Sequence, residues 1–320
     1  MSTQAKSYHA QIELWSYVAR VRPEIEDALL RYLPVAPALV ETQFNDALRH
    51  ALFPGGKRLR PVLTLLGAEI VGGRASDVWA AAVAVEYVHT SSLIFDDLPC
   101  MDNASERRGC ASLHARYGEG LAVLVALALM NASYGLLFDG VIAEQATRAV
   151  NAHRELVECI GARGMVAGQS IDLAESADQV RRGLDAVTID KASDSDEARE
   201  ADDAVRNLKT SALMRLALRV GAILSGATDR QLAALSRYAE LIGEAYQTSD
   251  DLLDLREDAL LSTATTRRAT FANERGAPDT KRRVADYVAE AKRALTAEFG
   301  TTPPARLLCD MADYIAAREA

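Results

Sequence analysis

The stretch Ser91-Ser92-Leu93-Ile94-Phe95-Asp96-Asp97-Leu98-Pro99-Cys100-Met101-Asp102 decides how the chain reads, and Gln247-Thr248-Ser249-Asp250-Asp251-Leu252-Leu253-Asp254 answers it far downstream. Each is an apolar helical run ending in three aspartates. Carboxylates that close repel one another and resist joint ionisation unless a cation or strong donors offset the charge. Two such runs in one chain read as two metal-holding walls. Mg²⁺ suits them, because it takes oxygen ligands and completes its shell with water and substrate phosphate.

Spacing supports this. Asp250 and Asp254 are i,i+4, Gln247 and Asp251 are i,i+4, and Asp251 and Asp254 are i,i+3, so all four share one helical face. Asp96 and Asp97 close the upstream helix. Pro99 should end or bend it, returning Asp102 from a turn. His89 lies seven residues before Asp96, two turns away on nearly the same face. A lone acidic triplet would be a solvated helix end, and a lone histidine on an apolar face a hydrogen-bonded core residue. The basic motifs below shift both readings toward a site.

The 320 residues are 49% apolar, with 9 prolines, 19 glycines and no regular alternation of β-branched residues, so an all-α protein is expected. A net charge of −9 argues against nucleic acid as a partner, because the basic residues concentrate only in short motifs suited to small anions. The 4 cysteines form no CxxC pair and no zinc spacing, which makes a reduced, cytoplasmic protein the expectation. The start lacks the apolar core of a signal peptide. The longest apolar run, Leu121 to Met130, is too short to cross a bilayer, so no membrane span is expected.

Along the chain, residues 8–52 predict two amphipathic helices divided near Pro34–Pro37. Further helices are predicted over 61–70, 79–95, 121–138, 156–173, 231–258, 281–299 and 303–318. Between the second and third lies Phe53-Pro54-Gly55-Gly56-Lys57-Arg58-Leu59-Arg60-Pro61. Pro and paired Gly make a tight turn that exposes backbone N–H groups, and cations follow it. Lys57 and Arg60 at a helix start can grip a diphosphate, or the turn is a basic surface feature. Glu106-Arg107-Arg108-Gly109 places two adjacent arginines that cannot share a helix face but can serve two anions across a loop. Gln169 and Asp172 either line a cavity or satisfy each other, and Lys209 is a rim residue or a third anion contact. Residues 174–204 read as an exposed excursion and 259–280 as a mobile segment.

Two carboxylate clusters, separated Lys/Arg contacts and no nucleophile–base pair point to substrates carrying diphosphates. Metal would withdraw charge so that diphosphate leaves and a carbocation forms, while greasy helices hold a hydrocarbon tail away from water.

Gly-Gly-Lys-Arg-x-Arg-Pro at 55–61, Asp-Asp-x4-Asp at 96–102, Arg-Arg-Gly at 107–109, Gly-Gln-x-x-Asp at 168–172, Lys-Thr at 209–210 and Gln-x-x-Asp-Asp-x-x-Asp at 247–254 occur in order. The series closely resembles the trans-isoprenyl diphosphate synthases over roughly residues 40–260, and within them the bacterial carotenoid-type geranylgeranyl diphosphate synthases. The resemblance implies one all-α helical bundle of the isoprenoid synthase type, with a central cavity, over the whole chain, and a homodimer. It implies Mg²⁺, three ions to a site, on Asp96, Asp97, Asp102, Asp250, Asp251 and Asp254. Arg107, Lys209, Thr210 and Gln247 would contact the allylic diphosphate (dimethylallyl, geranyl or farnesyl). Lys57, Arg60, His89 and Arg108 would hold isopentenyl diphosphate. Asp96, Asp97, Lys209, Asp250 and Asp251 would be catalytic. Ser91 and Ser92, about one turn below Asp96, would let the chain grow past C15, to C20.

The chain departs from the family pattern after Asp254. Where the family has Gly-Lys and a later lysine, this sequence reads Asp258-Ala259-Leu260-Leu261 and then Arg267-Arg268-Ala269-Thr270-Phe271. Arg268 stands in for the lysine, and the two are not equivalent at a phosphate. Arg206 stands where a histidine is common. Two alternatives compete: a class I terpene cyclase of the same architecture, which needs no isopentenyl site, and a weakly active regulatory subunit of a heteromeric synthase, which could lose aspartates freely.

Overall fold

The computed structural model describes residues 3–37, 43–53, 55–171, 173, 208–261 and 276–317, with only the backbone at 3–12, 208–210, 251 and 253–261. Helices dominate: α1 (Thr3–Arg31), α2 (Gln43–Leu52), α3 (Leu59–Ile70), α4 (Trp79–Asp97), α5 (Leu113–Tyr117), α6 (Glu119–Leu136), α7 (Ala146–Ile160), α8 (Leu208–Leu224), α9 (Asp229–Leu261), α10 (Ala277–Phe299) and α11 (Pro303–Ala316). Among the described residues, strand pairing is confined to β1 (Glu106–Arg107) and β2 (Cys110–Ala111), antiparallel, with Arg107 opposite Cys110. The all-α expectation therefore holds. The sequence predicted one helix over 156–173. Instead α7 stops at Ile160, a turn occupies 161–164, and helix resumes at 165. Gly164 allows that turn: a Cβ there would stand 2.1 Å from the Cys159 carbonyl oxygen. The 174–204 excursion and Arg206 lie outside the described residues, as do Asp172 and Arg268.

The chain divides into two compact units. The first comprises Tyr17–Val157 and Leu216–Ala227. Its centre is α4, where every residue from Ala81 to Ser92 is buried. A helix of small and apolar residues all round is stable only when neighbours cover it on all sides. α6 covers one side with Ala122, Val125, Ala126, Leu129 and Ser133. α3 crosses the buried part of α8 backbone to backbone. A Cβ on Gly221 would lie 2.0 Å from the Thr64 carbonyl oxygen, and one on Gly67 2.1 Å from that of Leu218. Only glycine permits that approach. Arg219 of α8 is clamped to Glu155 of α7, its Nε donating to Oε2 at 2.8 Å.

The second unit comprises Met1–Ser16, Glu158–Arg215 and Thr228–Ala320. Here α9 packs on α10 and α11. Val284, Val288, Ala291, Leu295 and Phe299 form the buried stripe of α10 at steps of three and four. The buried Tyr238 hydroxyl of α9 donates to the Leu308 carbonyl of α11 at 2.6 Å.

α6 is longer than the apolar run seen in the sequence. By length and mean hydropathy (1.5) it is apolar enough to cross a membrane, and only 28% of it is buried in the chain. Val123, Leu124 and Leu127 lie on its exposed side.

Candidate active site

α4 carries two groups of functional side chains about two turns apart, which at 1.5 Å per residue separates His89 from Asp96 by about 10 Å along the axis. At its C-terminal end Asp96 and Asp97 are 7% and 3% exposed. The helix ends at Asp97, with Pro99 two residues beyond, as predicted. The C-terminal end of a helix is itself negative, so two buried carboxylates there demand positive charge. Arg107 supplies part of it: its Nε donates to Asp97 Oδ1 at 3.0 Å and its Nη2 donates to the same oxygen. That bond holds the Arg107 guanidinium above its ordinary range, against burial, with Asp96 and Asp102 also acting on it. Asp102 returns through a turn in which its N–H donates to the Asp96 carbonyl at 2.8 Å, and its side chain is exposed. A pocket lined by Thr90, Leu93, Ile94, Asp97, Arg107 and Arg108 opens beside the ion pair.

Among the described residues no three His, Cys, Asp or Glu side chains are gathered as a finished metal cage. Two buried carboxylates and a third on the return turn fit an ion that takes oxygen donors yet keeps several sites for water and phosphate, which is the habit of Mg²⁺.

Arg107 and Arg108 part company in the β1–β2 hairpin. The two-residue loop Arg108-Gly109 has φ 54° and 75°. Positive φ at both central positions is the requirement of a type I′ turn, which matches strand twist and favours glycine second. Arg107 sits in the strand and turns to Asp97, while Arg108 in the turn reaches His89. The two adjacent arginines thus face different partners, Asp97 and His89.

His89 is 9% exposed. Its Nε2 lies 3.2 Å from Arg60 Nη1 and 3.5 Å from Arg108 Nη2. Guanidinium can only donate, so Nε2 is the acceptor and the imidazole is neutral. Burial, then the charges of Arg60, Arg108, Arg58 and Arg107, hold the His89 pKa well below its usual value. Lys57 is exposed at the tip of the Gly55-Gly56 turn, and Arg60 is half-buried in the first turn of α3. A Cβ on Gly56 would come within 3.2 Å of the Arg108 guanidinium carbon, so this glycine lets the hairpin arginine lie against the turn. Arg60, His89 and Arg108 therefore meet in one basic cluster, and Lys57 stands exposed on the segment that leads into α3.

Ser91 and Ser92 are 0% and 8% exposed. Ser91 faces α6, its hydroxyl donating to the Ala126 carbonyl at 3.0 Å, whereas Ser92 donates to the His89 carbonyl of its own helix at 2.8 Å. In the second unit, Gln247, Asp250, Asp251 and Asp254 lie in uninterrupted helix, which puts them on one face of α9, with Gln247 and Asp250 half-buried. Lys209 and Thr210 open α8. Gln169 is half-buried in the helix that resumes at 165.

Sequence reasoning passed over Arg58, Glu86 and Glu26. Arg58 is 2% and Glu86 2% exposed, and they form the most buried ion pair among the described residues of the first unit, Nη1 to Oε1 at 2.6 Å. The signal was Glu86 itself, the single acid in α4 before its C-terminal aspartates. A charge inside a helix covered on all sides requires a partner.

Within this all-α fold, α4 thus carries a buried acidic end and, two turns earlier, the histidine at which Arg60 of α3 and Arg108 of the hairpin meet. The polyprenyl synthetase family model matches residues 41–262. Geranylgeranyl pyrophosphate synthase 11 of Arabidopsis thaliana is 37% identical over 245 residues, 76% of this chain and 63% of its own length. The geranylgeranyl pyrophosphate synthase of Capsicum annuum is 36% identical over 281 residues, 86% of this chain and 71% of its own. The heterodimeric geranylgeranyl pyrophosphate synthase large subunit 1 of Arabidopsis is 32% identical, covering 98% of this chain and 82% of its own. Among solved structures, an FPP/GFPP synthase from Zymomonas mobilis superposes with a TM-score of 0.80 at 28% identity, covering 96% of this chain and all of that one. The chain belongs to the polyprenyl synthetase family. It spans about three fifths of the length of several Arabidopsis relatives it matches.

Proposed function

We propose that the protein is a prenyltransferase that joins isopentenyl diphosphate to an allylic diphosphate and releases geranylgeranyl diphosphate, with C20 the favoured product. The observation that carries this is α4, which bears an acidic metal-type end and, two turns earlier, a neutral histidine that receives Arg60 of α3 and Arg108 of the hairpin. A terpene cyclase would have no use for Lys57, Arg60, His89 and Arg108 as a set.

In this reading Asp96, Asp97 and Asp102, and likewise Asp250, Asp251 and Asp254 of the second acidic motif, would hold Mg²⁺, which would withdraw charge from the allylic diphosphate. Arg107, Lys209, Thr210, Gln247 and Arg268 steady that diphosphate. Lys57, Arg60 and Arg108 donate to the diphosphate of isopentenyl diphosphate. His89, neutral, aligns two of those guanidinium groups. The allylic C–O bond breaks with its electron pair on the leaving diphosphate. The isopentenyl double bond then forms the new C–C bond to the allylic carbon, and a proton passes from the resulting cation to the departed diphosphate. The apolar wall of α4 keeps water from the cation. Ser92, whose hydroxyl is folded back on its own helix, is the better candidate of the two serines for admitting a long tail.

The family match spans parts of both units, which supports one synthase domain. The exposed Val123, Leu124 and Leu127 row of α6 supports a homodimer, since an apolar face left uncovered on one chain is suited to a second copy. The relative that is a heterodimeric large subunit favours a mixed partner as the second reading. Four free thiols suit a cytoplasmic setting.

The test is incubation with Mg²⁺, isopentenyl diphosphate and each allylic primer in turn, with products sized by mass spectrometry. Chain elongation to C20 is expected. Cyclised hydrocarbon made from an allylic diphosphate alone, or no turnover from the chain by itself, would overturn it.

A further inference from the structure

We propose that Arg58 is a positioning residue for the isopentenyl diphosphate site, fixing where Lys57, Arg60 and Arg108 present their charges. The inference rests on the reading of that cluster as a diphosphate site and assigns a role to the one cation of the turn that touches no solvent.

Arg58 is the residue before α3, the position where a short polar side chain usually caps the helix. Its backbone is left-handed, φ 54° and ψ 32°, an arrangement that costs an L-residue about 1 kcal/mol. Its side chain makes no cap. It turns inward, with a side-chain exposure of 0%. Nε donates to Glu26 Oε1 at 2.9 Å and Nη2 to Glu26 Oε2 at 3.0 Å, a bidentate fork. Nη1 donates to Glu86 Oε1 at 2.6 Å, and Nη2 also donates to the Leu52 carbonyl at 2.7 Å. One guanidinium thus joins α1, the end of α2, the start of α3 and the middle of α4.

The site residues are tied to that joint. Lys57 is its chain neighbour and Arg60 stands two residues on. Glu86 is three residues before His89, on the same side of α4. Gly55 lies on the Arg58 guanidinium, so that a Cβ there would come within 2.0 Å of its central carbon, while Gly56 lies on that of Arg108. The two glycines seat the turn between two planar cations, one structural and one facing substrate. Glu86 and Glu26 also act on Arg108: desolvation and the other arginines push its pKa down, and these two carboxylates oppose the fall. Arg58 therefore holds in place the carboxylates that make a cluster of cations tolerable before any diphosphate arrives.

Arg58→Lys keeps the charge but cannot fork, since a single ammonium cannot reach Glu26, Glu86 and Leu52 in the same geometry. Arg58→Met/Glu86→Gln removes both buried charges together and leaves Glu26, 26% exposed, free to turn outward. Steady-state kinetics of the full-length protein, with folding followed by circular dichroism and melting, reads the result. Both variants are expected to raise KM for isopentenyl diphosphate about tenfold to a hundredfold, the loss of one charge-assisted contact, with KM for the allylic substrate and kcat little changed. Lys57→Ala is the control. If Lys57→Ala raises that KM while both Arg58 variants stay within twofold of the native value, the positioning role is refuted and the site reading stands. If Lys57→Ala leaves it unchanged, the site reading falls and takes the inference with it. Loss of fold in both variants, or equal losses on both substrates, would make Arg58 a structural ion pair only and overturn the proposal.

Discussion

Replacing Asp310 by Asn should stabilise the protein near neutral pH, and by an amount that depends on pH in a defined way. Asp310 lies in α11 and is 8% exposed. Burial first, then the nearby Glu13 and Asp313 carboxylates, push its pKa up from 3.8 to about 6, with Lys292 and Arg306 opposing. Lys292 can do little, because its ammonium already donates to both oxygens of Asp313 at 2.8 and 2.7 Å. A carboxyl whose folded pKa is raised keeps its proton better in the folded state. Between about pH 4 and 6 the native form therefore binds more protons than the unfolded chain, and stability falls as pH rises. The shift of about two units corresponds to about 3 kcal/mol at most, all of it lost above pH 6 and recovered below pH 4. Asn mimics the protonated acid. The expected gain for Asp310→Asn is thus up to about 3 kcal/mol at pH 7.5 and close to zero at pH 4, or about 6 °C in melting temperature at the higher pH. Urea denaturation of both proteins across pH 4–8 gives the difference directly, and other titrating groups cancel in it. A difference that does not change with pH, or that grows toward acid, would refute the assignment of a strained carboxylate at this position.

Asp97→Ala and Asp250→Ala should each lower turnover by about a hundredfold or more while circular dichroism stays native, because each removes a carboxylate from a charge-handling cluster; native rates in both would remove the acidic motifs from the mechanism. Ser92→Phe should shorten the product as sized by mass spectrometry, whereas Ser91→Phe should mainly destabilise, since Ser91 is fully buried against the α6 backbone and has no room for a ring. An unaltered product from a folded Ser92→Phe protein would end the chain-length assignment. Leu124→Glu combined with Leu127→Glu, at side chains 55% and 57% exposed, should halve the mass seen by light scattering if a second copy covers α6. A dimer that survives both charges would place the interface elsewhere.

The acidic end of α4 was legible because it combines two signals that seldom coincide by chance. A continuous apolar run specifies a buried helix, and Pro99 specifies where it stops, so Asp96 and Asp97 had to sit at a buried helix terminus. The basic residues of the turn were legible as such, but their depth was not. Lys57, Arg58 and Arg60 look alike in a turn rich in glycine, and nothing in the local sequence says which one folds inward. That choice is made by Glu26 and Glu86, far away in the chain, through contacts that only tertiary structure creates. The hairpin at 106–111 was missed for a related reason. Its strands are two residues long, too short for alternation to show, and only the Arg108-Gly109 pair with positive φ betrays it. Gly67 and Gly221 give no sign, read singly, that each lies against the backbone of the facing helix.

Those misses share a physical origin that bears on how the site works. Bringing Arg60 and Arg108 together around one imidazole is unfavourable in the absence of an anion, because like charges in a partly dry cluster repel. Two features of the first unit offset that repulsion. Burial and the surrounding guanidinium groups keep His89 neutral, so the histidine accepts hydrogen bonds from the cluster instead of adding to its charge. Beneath it, one buried arginine sets two carboxylates at the base of the turn, which lowers the local charge without entering the pocket. In the proposed diphosphate site, Arg60 and Arg108 are thus already turned to His89 by bonds to the fold and not by a ligand. Under that proposal little ordering of these two side chains remains on binding, the condition under which a diphosphate would contribute most of its charge-assisted hydrogen bonding to affinity.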